Sequence, residues 1–535
     1  MKKLSLLLLS MISTFFLAGQ TPGTLDFSFG NNGITLTNYS NNGDNNYSYA
    51  SALQADGKIV LGGHSVNGGV DNMTFVRYNP DGTLNYDFNA GGIKVFQQFA
   101  GSDDRVEALI IQPDGKIIAV GYTTNSTNTQ MTVTRLNTDG SLDNSFNANG
   151  MTLINFGNTV NAYGRSVALQ DDGKIIVGGY IEFTDQNPEV NGAICRLTSS
   201  GVLDNTFGVN GMISHDILSQ WNYMTQVAIQ DEKIILGGMS IRSADNARFV
   251  TLCRYNTDGS LDTGFGTSGV TSVENSVAIS VNASRSGMCI SEDGKIILAD
   301  YVVVGWYDSD LAVWRFHPDG STDNYFGNAG IVVTAMEGSS GAAAVAVQAD
   351  GKIVVGGWHY TPVPLSYDFV LVRYLENSYL DINFGTEGTG VVITNASSSA
   401  GLFDISYSLL IQEDGEILAS GVAETDNTGY DFAVARYHAG LNIGVEKTEQ
   451  DAWELTIYPN PFTEETKLVF KLAEESIVKV EVYNAFGIKV TELTHRSYTK
   501  GEHQLRWDGG GVAAGVYIIK MTVGDMVYTE KVVKH

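Results

Sequence analysis

The chain has 535 residues, 43% of them apolar, and a formal net charge of −27. That length exceeds one ordinary domain and the apolar fraction is ample for buried cores, so two or more globular units are expected. A surface this negative repels phosphate backbones, which argues against nucleic acid as a partner.

Glycine is in excess at 60 residues, against a usual ~7%. Most glycines sit beside Asp or Asn where a chain reverses, so the composition favours many short strands over helices.

At the start, Lys2 and Lys3 precede an apolar run from Leu4 to Ala18, followed by small or polar residues. This is the pattern of a secretory signal peptide over residues 1–20, with cleavage near Gly19 or Gln20. The run is shorter than the ~20 residues of a spanning helix. No later window is apolar enough to cross a bilayer, so no transmembrane span is expected after cleavage.

From residue 21 to 442 the chain repeats. One marker is a phenylalanine returning about every 59 residues, as Phe29, Phe88, Phe146, Phe207, Phe265, Phe326 and Phe384. A second keeps the same beat: "QADGKIVLGG" at Gln54, "QPDGKIIAVG" at Gln112, "QDDGKIIVGG" at Gln170 and "QADGKIVVGG" at Gln348, with looser forms at Gln230, Ser291 and Gln412.

Each unit holds four apolar runs, in the first "GITLTNY", "YASALQ", "KIVLGG" and "MTFVRY". The Asp-Gly pair between the second and third is a hairpin signal. The third run is apolar at consecutive positions, Ile59-Val60-Leu61, so it is covered on both faces. Radially packed four-stranded blades meet that demand, and the expected architecture is a seven-bladed β-propeller rather than an open solenoid. Unit four lacks the hairpin glycine (Asp231-Glu232-Lys233) and unit seven has Glu416 in place of lysine, so those two turns are expected to differ.

The "DGxLDxxFGxxG" and "QxDGKIxxxG" signatures resemble the delta-60 repeat family, whose copies are understood as propeller blades. That resemblance implies a fold and no activity.

Arg77, Arg135, Arg196, Arg254, Arg315, Arg373 and Arg436 hold the same place in every fourth run. Seven to nine residues downstream stands an acid in most units, Asp143, Asp204, Asp262, Asp323 and Asp381, with Asn85 in unit one. A structural role is expected: each guanidinium forks onto its aspartate or onto turn carbonyls and locks blade to blade.

Function is expected where the repeat breaks. Hairpin connectivity puts the irregular segments on one face and the short Asp-Gly turns and the "LDxxFG" segments, expected as blade-to-blade crossovers, on the other. Trp306, Tyr307, Trp358, His359, Tyr360 and Tyr367 fall in units five and six and form the candidate ligand patch, suited to a sugar or a protein.

No zinc-type His pair, nucleophile elbow, phosphate loop or calcium ladder is present, so no metal or cofactor is expected. A carboxylate pair of glycosidase type is the enzymatic alternative. A surface protein without a ligand is the structural one. Cys195 and Cys253 read as replacements for buried aliphatics.

Residues 443–452 are polar and read as a linker. From 453 to 535 seven alternating runs predict a small Ig-like β-sandwich. Tyr458-Pro459-Asn460-Pro461, Gly487, Trp507, Gly509 and Gly515-Val516-Tyr517 resemble the type A C-terminal sorting domain of type IX secretion. The resemblance implies the type IX machinery as partner and a secreted or outer-membrane surface location.

Overall fold

The computed structural model describes residues 21–39, 44–157, 160–184, 189–217, 220–242, 244–275, 285–304, 308–362, 365–386, 388–397, 402–426, 428–440, 456–472, 475–484, 489–513, 515–523 and 526–534. The stretch read as a signal peptide, the linker, Trp306, Tyr307 and Gly487 lie outside them. The described residues form strands and no helix. They fall into two units, Met1–Leu441 and Asn442–His535.

The first unit contains seven four-stranded antiparallel sheets arranged as a seven-bladed β-propeller. Blade one is typical: Asn46–Leu53 nearest the axis, then Ile59–Asn67, Val70–Tyr78 and Ile93–Phe96 outermost. Ile59, Val60 and Leu61 are all fully buried; Ile59 and Leu61 pack in a cluster shared with blade seven, and Val60 in one shared with blade two. Each pair of neighbouring blades shares such an apolar cluster. Cys195 and Cys253 sit fully buried in two of them, as unpaired thiols.

The sheets are offset by one strand from the sequence units. Ile34–Thr37, grouped by sequence with the first unit, is the outermost strand of blade seven, Ile34 opposite Ala435 and Thr37 opposite Phe432. Pairing an early strand with the last three closes the ring and leaves no sheet unfinished.

Because of that offset the "LDxxFG" segments are not the expected blade-to-blade crossovers: they connect the third and fourth strands of one sheet, at residues 79–92 in blade one. Passage to the next blade runs across the opposite, irregular face, at residues 97–102.

Blade four shortens its hairpin by one residue. Gln230 pairs directly with Lys233, and Asp231 and Glu232 take φ of 47° and 66°, as a two-residue turn demands. Blade seven keeps the longer turn, with Gly415 N donating to Gln412 O at 2.9 Å. Its Glu416 faces His438 and the Ala439 amide instead of an aspartate.

The second unit packs Thr456–Tyr458, Glu465–Leu472 and Gly501–Asp508 as one sheet. The other holds Lys489–Tyr498, Ser476–Asn484, Gly515–Val523 and Met526–Lys534. Alternate residues of both, among them Leu468, Phe470, Val478, Val480 and Ile519, fill one core.

Candidate functional site: the propeller axis and the aromatic cluster beside it

The seven arginines do not converge on one site. Each Nε donates to its own partner at 2.7–3.0 Å: Asp143, Asp204, Asp262, Asp323, Asp381, Asn85 for Arg77, and Asp26 for Arg436. Each Nη1 donates to a carbonyl on the following blade, those of Thr138, Ser199, Thr257, Pro318, Glu376, Ala439 and, across the closure, Pro80. The guanidinium carbons lie 4.3–4.8 Å from the ring centroids of the repeated phenylalanines, within cation–π range.

Of the candidate ligand patch, Trp358, Tyr360 and Tyr367 come together and His359 does not. Trp358 stands opposite Phe369 and Tyr360 opposite Tyr367 on paired strands, so these side chains share one face. His359 alternates to the other face, buried, with Nε2 2.8 Å from the Glu337 carbonyl.

Tyr367 stacks on Phe403 of blade seven at 4.9 Å and meets Tyr360 at 4.9 Å and Trp358 at 5.6 Å. Tyr301 of blade five touches Trp358 edge-on at 6.0 Å. The segment is not a loop: strands Ile353–Pro362 and Leu365–Tyr374 extend through it.

A second constellation, absent from the sequence expectations, occupies the axis. In six blades the innermost strand bulges once, at Tyr49, Glu107, Arg165, Thr225, Ala343 and Tyr407. Each bulge stands five residues before the repeated Gln; Ser286 is the blade-five counterpart. The bulge explains the second glycine of the "GG" pair, because a Cβ on Gly63 would lie 1.7 Å from the Tyr47 carbonyl oxygen.

All seven residues, with Gln226 and Arg285, line a cavity of about 50 Å³. Glu107 Oε2 accepts from Arg165 Nη1 at 2.9 Å and from Arg285 Nη2. Arg165 Nη2 donates to Tyr180 Oη at 2.8 Å, and the Arg285 guanidinium lies 3.6 Å from the centroid of the Tyr49 ring. Burial works against the charge on Arg165, but Glu107, Tyr180 and Tyr122 outweigh it and push its pKa up. Burial raises the Tyr49 phenol, with Arg285 opposing, so it stays protonated.

In the second unit, Trp507 is buried between Phe462 (5.1 Å) and Tyr517 (5.2 Å). Gly509 lies so close to Phe462 that a Cβ would meet its ring at 2.6 Å. Tyr517 Oη donates to Ala513 O at 2.7 Å. Tyr458, Pro459, Asn460 and Pro461 are exposed, and the segment ties to the last strand: Val533 N donates to Asn460 Oδ1 and Phe462 N to Val533 O, both at 2.9 Å. Gly515 and Val516 open the strand that carries Tyr517.

The fold defines a seven-bladed propeller with an appended sandwich. Seven segments, residues 54–88, 112–146, 170–207, 230–265, 292–326, 348–384 and 412–442, match the family described as a domain of unknown function (DUF5122) beta-propeller. Residues 456–535 match the secretion system C-terminal sorting domain. The chain is therefore a DUF5122 β-propeller followed by a type IX C-terminal sorting domain, which places it in the secreted or cell-surface class.

A comparison with curated proteins returns no match. Among solved structures, similarity extends to the β-propeller domain of the Trilobed protease from Pyrococcus furiosus (11% identity, 75% of this chain and 99% of that one, TM-score 0.37). It extends also to the Pyrococcus horikoshii acylaminoacyl peptidase (11%, 81% and 59%, 0.34) and the GH43 endo-arabinanase from Bacillus licheniformis (9%, 51% and 92%, 0.27).

Proposed function

We propose that the propeller, once exported, recognises an extracellular glycan through the cluster of Tyr301, Trp358, Tyr360, Tyr367 and Phe403. The observation that carries this reading is the convergence of five aromatic side chains from three neighbouring blades. Trp358, Tyr360 and Tyr367 are only half-buried, so part of each ring remains available to the C–H faces of a sugar. A protein loop is the other ligand such a floor accepts.

The enzymatic alternative needs two carboxylates flanking a bond. Glu107 is the one acid among the axial cavity's lining residues, and it is held by two arginines, which favours recognition over turnover.

A glycan array probed with the purified chain, with reducing-sugar release followed in parallel, tests the proposal. Trp358→Ala is expected to weaken glycan binding by about tenfold or more, with no sugar released by either form. Binding indifferent to that change removes the cluster from the site, and release abolished by a single Asp or Glu substitution establishes the enzyme instead.

A further inference from the structure

Hydrogen bonding at the axis is incomplete in two complementary places. The Glu107 side chain is 1% exposed; its Oε2 takes both arginines, while its buried Oε1 has no partner among the described residues. Arg165 uses Nη1 and Nη2 on Glu107 and Tyr180, and its buried Nε has no partner among the described residues.

Buried polar groups are normally matched. One unmatched acceptor and one unmatched donor at the same cavity select a group that both donates and accepts. A hydroxyl does so, whereas a carboxylate only accepts and an ammonium only donates.

The surroundings suit one small ring carrying such groups. The axial cavity of about 50 Å³ shares seven lining residues with a second of about 190 Å³. The second adds the hydroxyl-bearing Ser51, Ser166 and Ser408 beside Leu109, Val167 and Leu409. Both fall below the ~300–1,000 Å³ of sites for drug-sized ligands, so the occupant is one unit and not an oligosaccharide. Tyr49 and Tyr407 supply ring surface at the same level.

We propose that the axis is a socket for a single neutral hexose unit, with a sugar hydroxyl donating to Glu107 Oε1 and accepting from Arg165 Nε. The proposal rests on the saccharide reading above and deepens it, at residues separate from the aromatic cluster. Only binding is involved; no bond is made or broken.

The test titrates the exported chain with glucose, galactose, mannose and glucuronate by calorimetry and ligand-observed NMR. It uses wild type, Glu107→Gln, Ala343→Leu and Trp358→Ala, with Tm recorded for each. At least one neutral hexose is expected to bind saturably, and Glu107→Gln to weaken it about tenfold or more. Ala343 lines the same cavity, and Ala343→Leu adds three carbons to its wall while changing neither Glu107 nor either arginine. It is expected to abolish hexose binding at unchanged Tm, and it decides the matter if Glu107→Gln fails to fold.

Trp358→Ala is expected to leave hexose affinity unchanged while lowering the array signal. Absence of saturable binding by every hexose, leaving a water-filled cavity only, overturns the socket. Preference for glucuronate, or wild-type affinity in Ala343→Leu, also overturns it. An array signal that survives while the socket fails leaves the proposed function standing. Hexose binding with a silent array leaves the socket and removes the cluster.

Discussion

Arg373 shows what one residue contributes to this molecule. Its side chain and that of Asp381 are 2% and 3% exposed; it also donates to Gln348 Oε1 at 3.3 Å and to the Ala439 carbonyl of blade seven. Truncation strands a buried carboxylate, so Arg373→Met is expected to lower unfolding stability by about 3–5 kcal/mol, read as a fall in the denaturation midpoint. An unchanged midpoint would remove the clamp.

Asp404 is a buried carboxyl held by backbone amides. Burial pushes its pKa up to about 6, although the Ser397, Ala396 and Glu424 amides oppose the shift. A carboxyl whose folded pKa exceeds its unfolded value near 3.8 binds its proton more tightly when folded. Its stabilising contribution is complete below about pH 4 and is lost as pH rises through about 6. The Tm difference between wild type and Asp404→Asn should therefore favour wild type more at pH 4 than at pH 7; a flat or reversed difference contradicts it.

At the scale of the element, the strand Ile34–Thr37 decides whether the ring is closed. It completes blade seven, and the stretch before it supplies Asp26 to Arg436 and Phe29 to the cluster between blades seven and one. Removing residues 21–37 deprives that cluster of its phenylalanine, leaves Arg436 without its carboxylate and exposes the edge of Gly429–Tyr437. Such a variant is expected to melt earlier and to be nicked by protease first in blade seven, whereas identical digestion patterns would show that closure does not depend on this strand. The unit beat was legible because Asp-Gly turns mark six of the seven hairpins and paired glycines follow in four. The one-strand offset was not, since an apolar run such as "GITLTNY" pairs equally well with either neighbour until the ends meet.

At the scale of the whole molecule, the sorting domain dictates where the propeller works. Deleting residues 456–535 should leave a folded propeller inside the cell envelope, detected by fractionation and by loss of surface labelling. Continued appearance outside would refute the sorting role. Trp507, Gly509 and Tyr517 form the interior of this domain, so their substitution is expected to unfold it, while Tyr458 and Asn460 lie exposed on it.

The sequence by itself determined the number of blades, the buried third run, the repeated arginine and the C-terminal address, because turn chemistry and period are local properties written at every copy. Tertiary structure alone decided that His359 leaves the aromatic cluster, since side chains alternate only once the expected irregular segment is extended as a paired strand. It alone brought Glu107, Arg165 and Arg285 together from blades two, three and five. A column reading Tyr, Glu, Arg, Thr, Ser, Ala, Tyr shows no pattern along the chain, and it becomes one site only when seven inner strands are bent around a common axis.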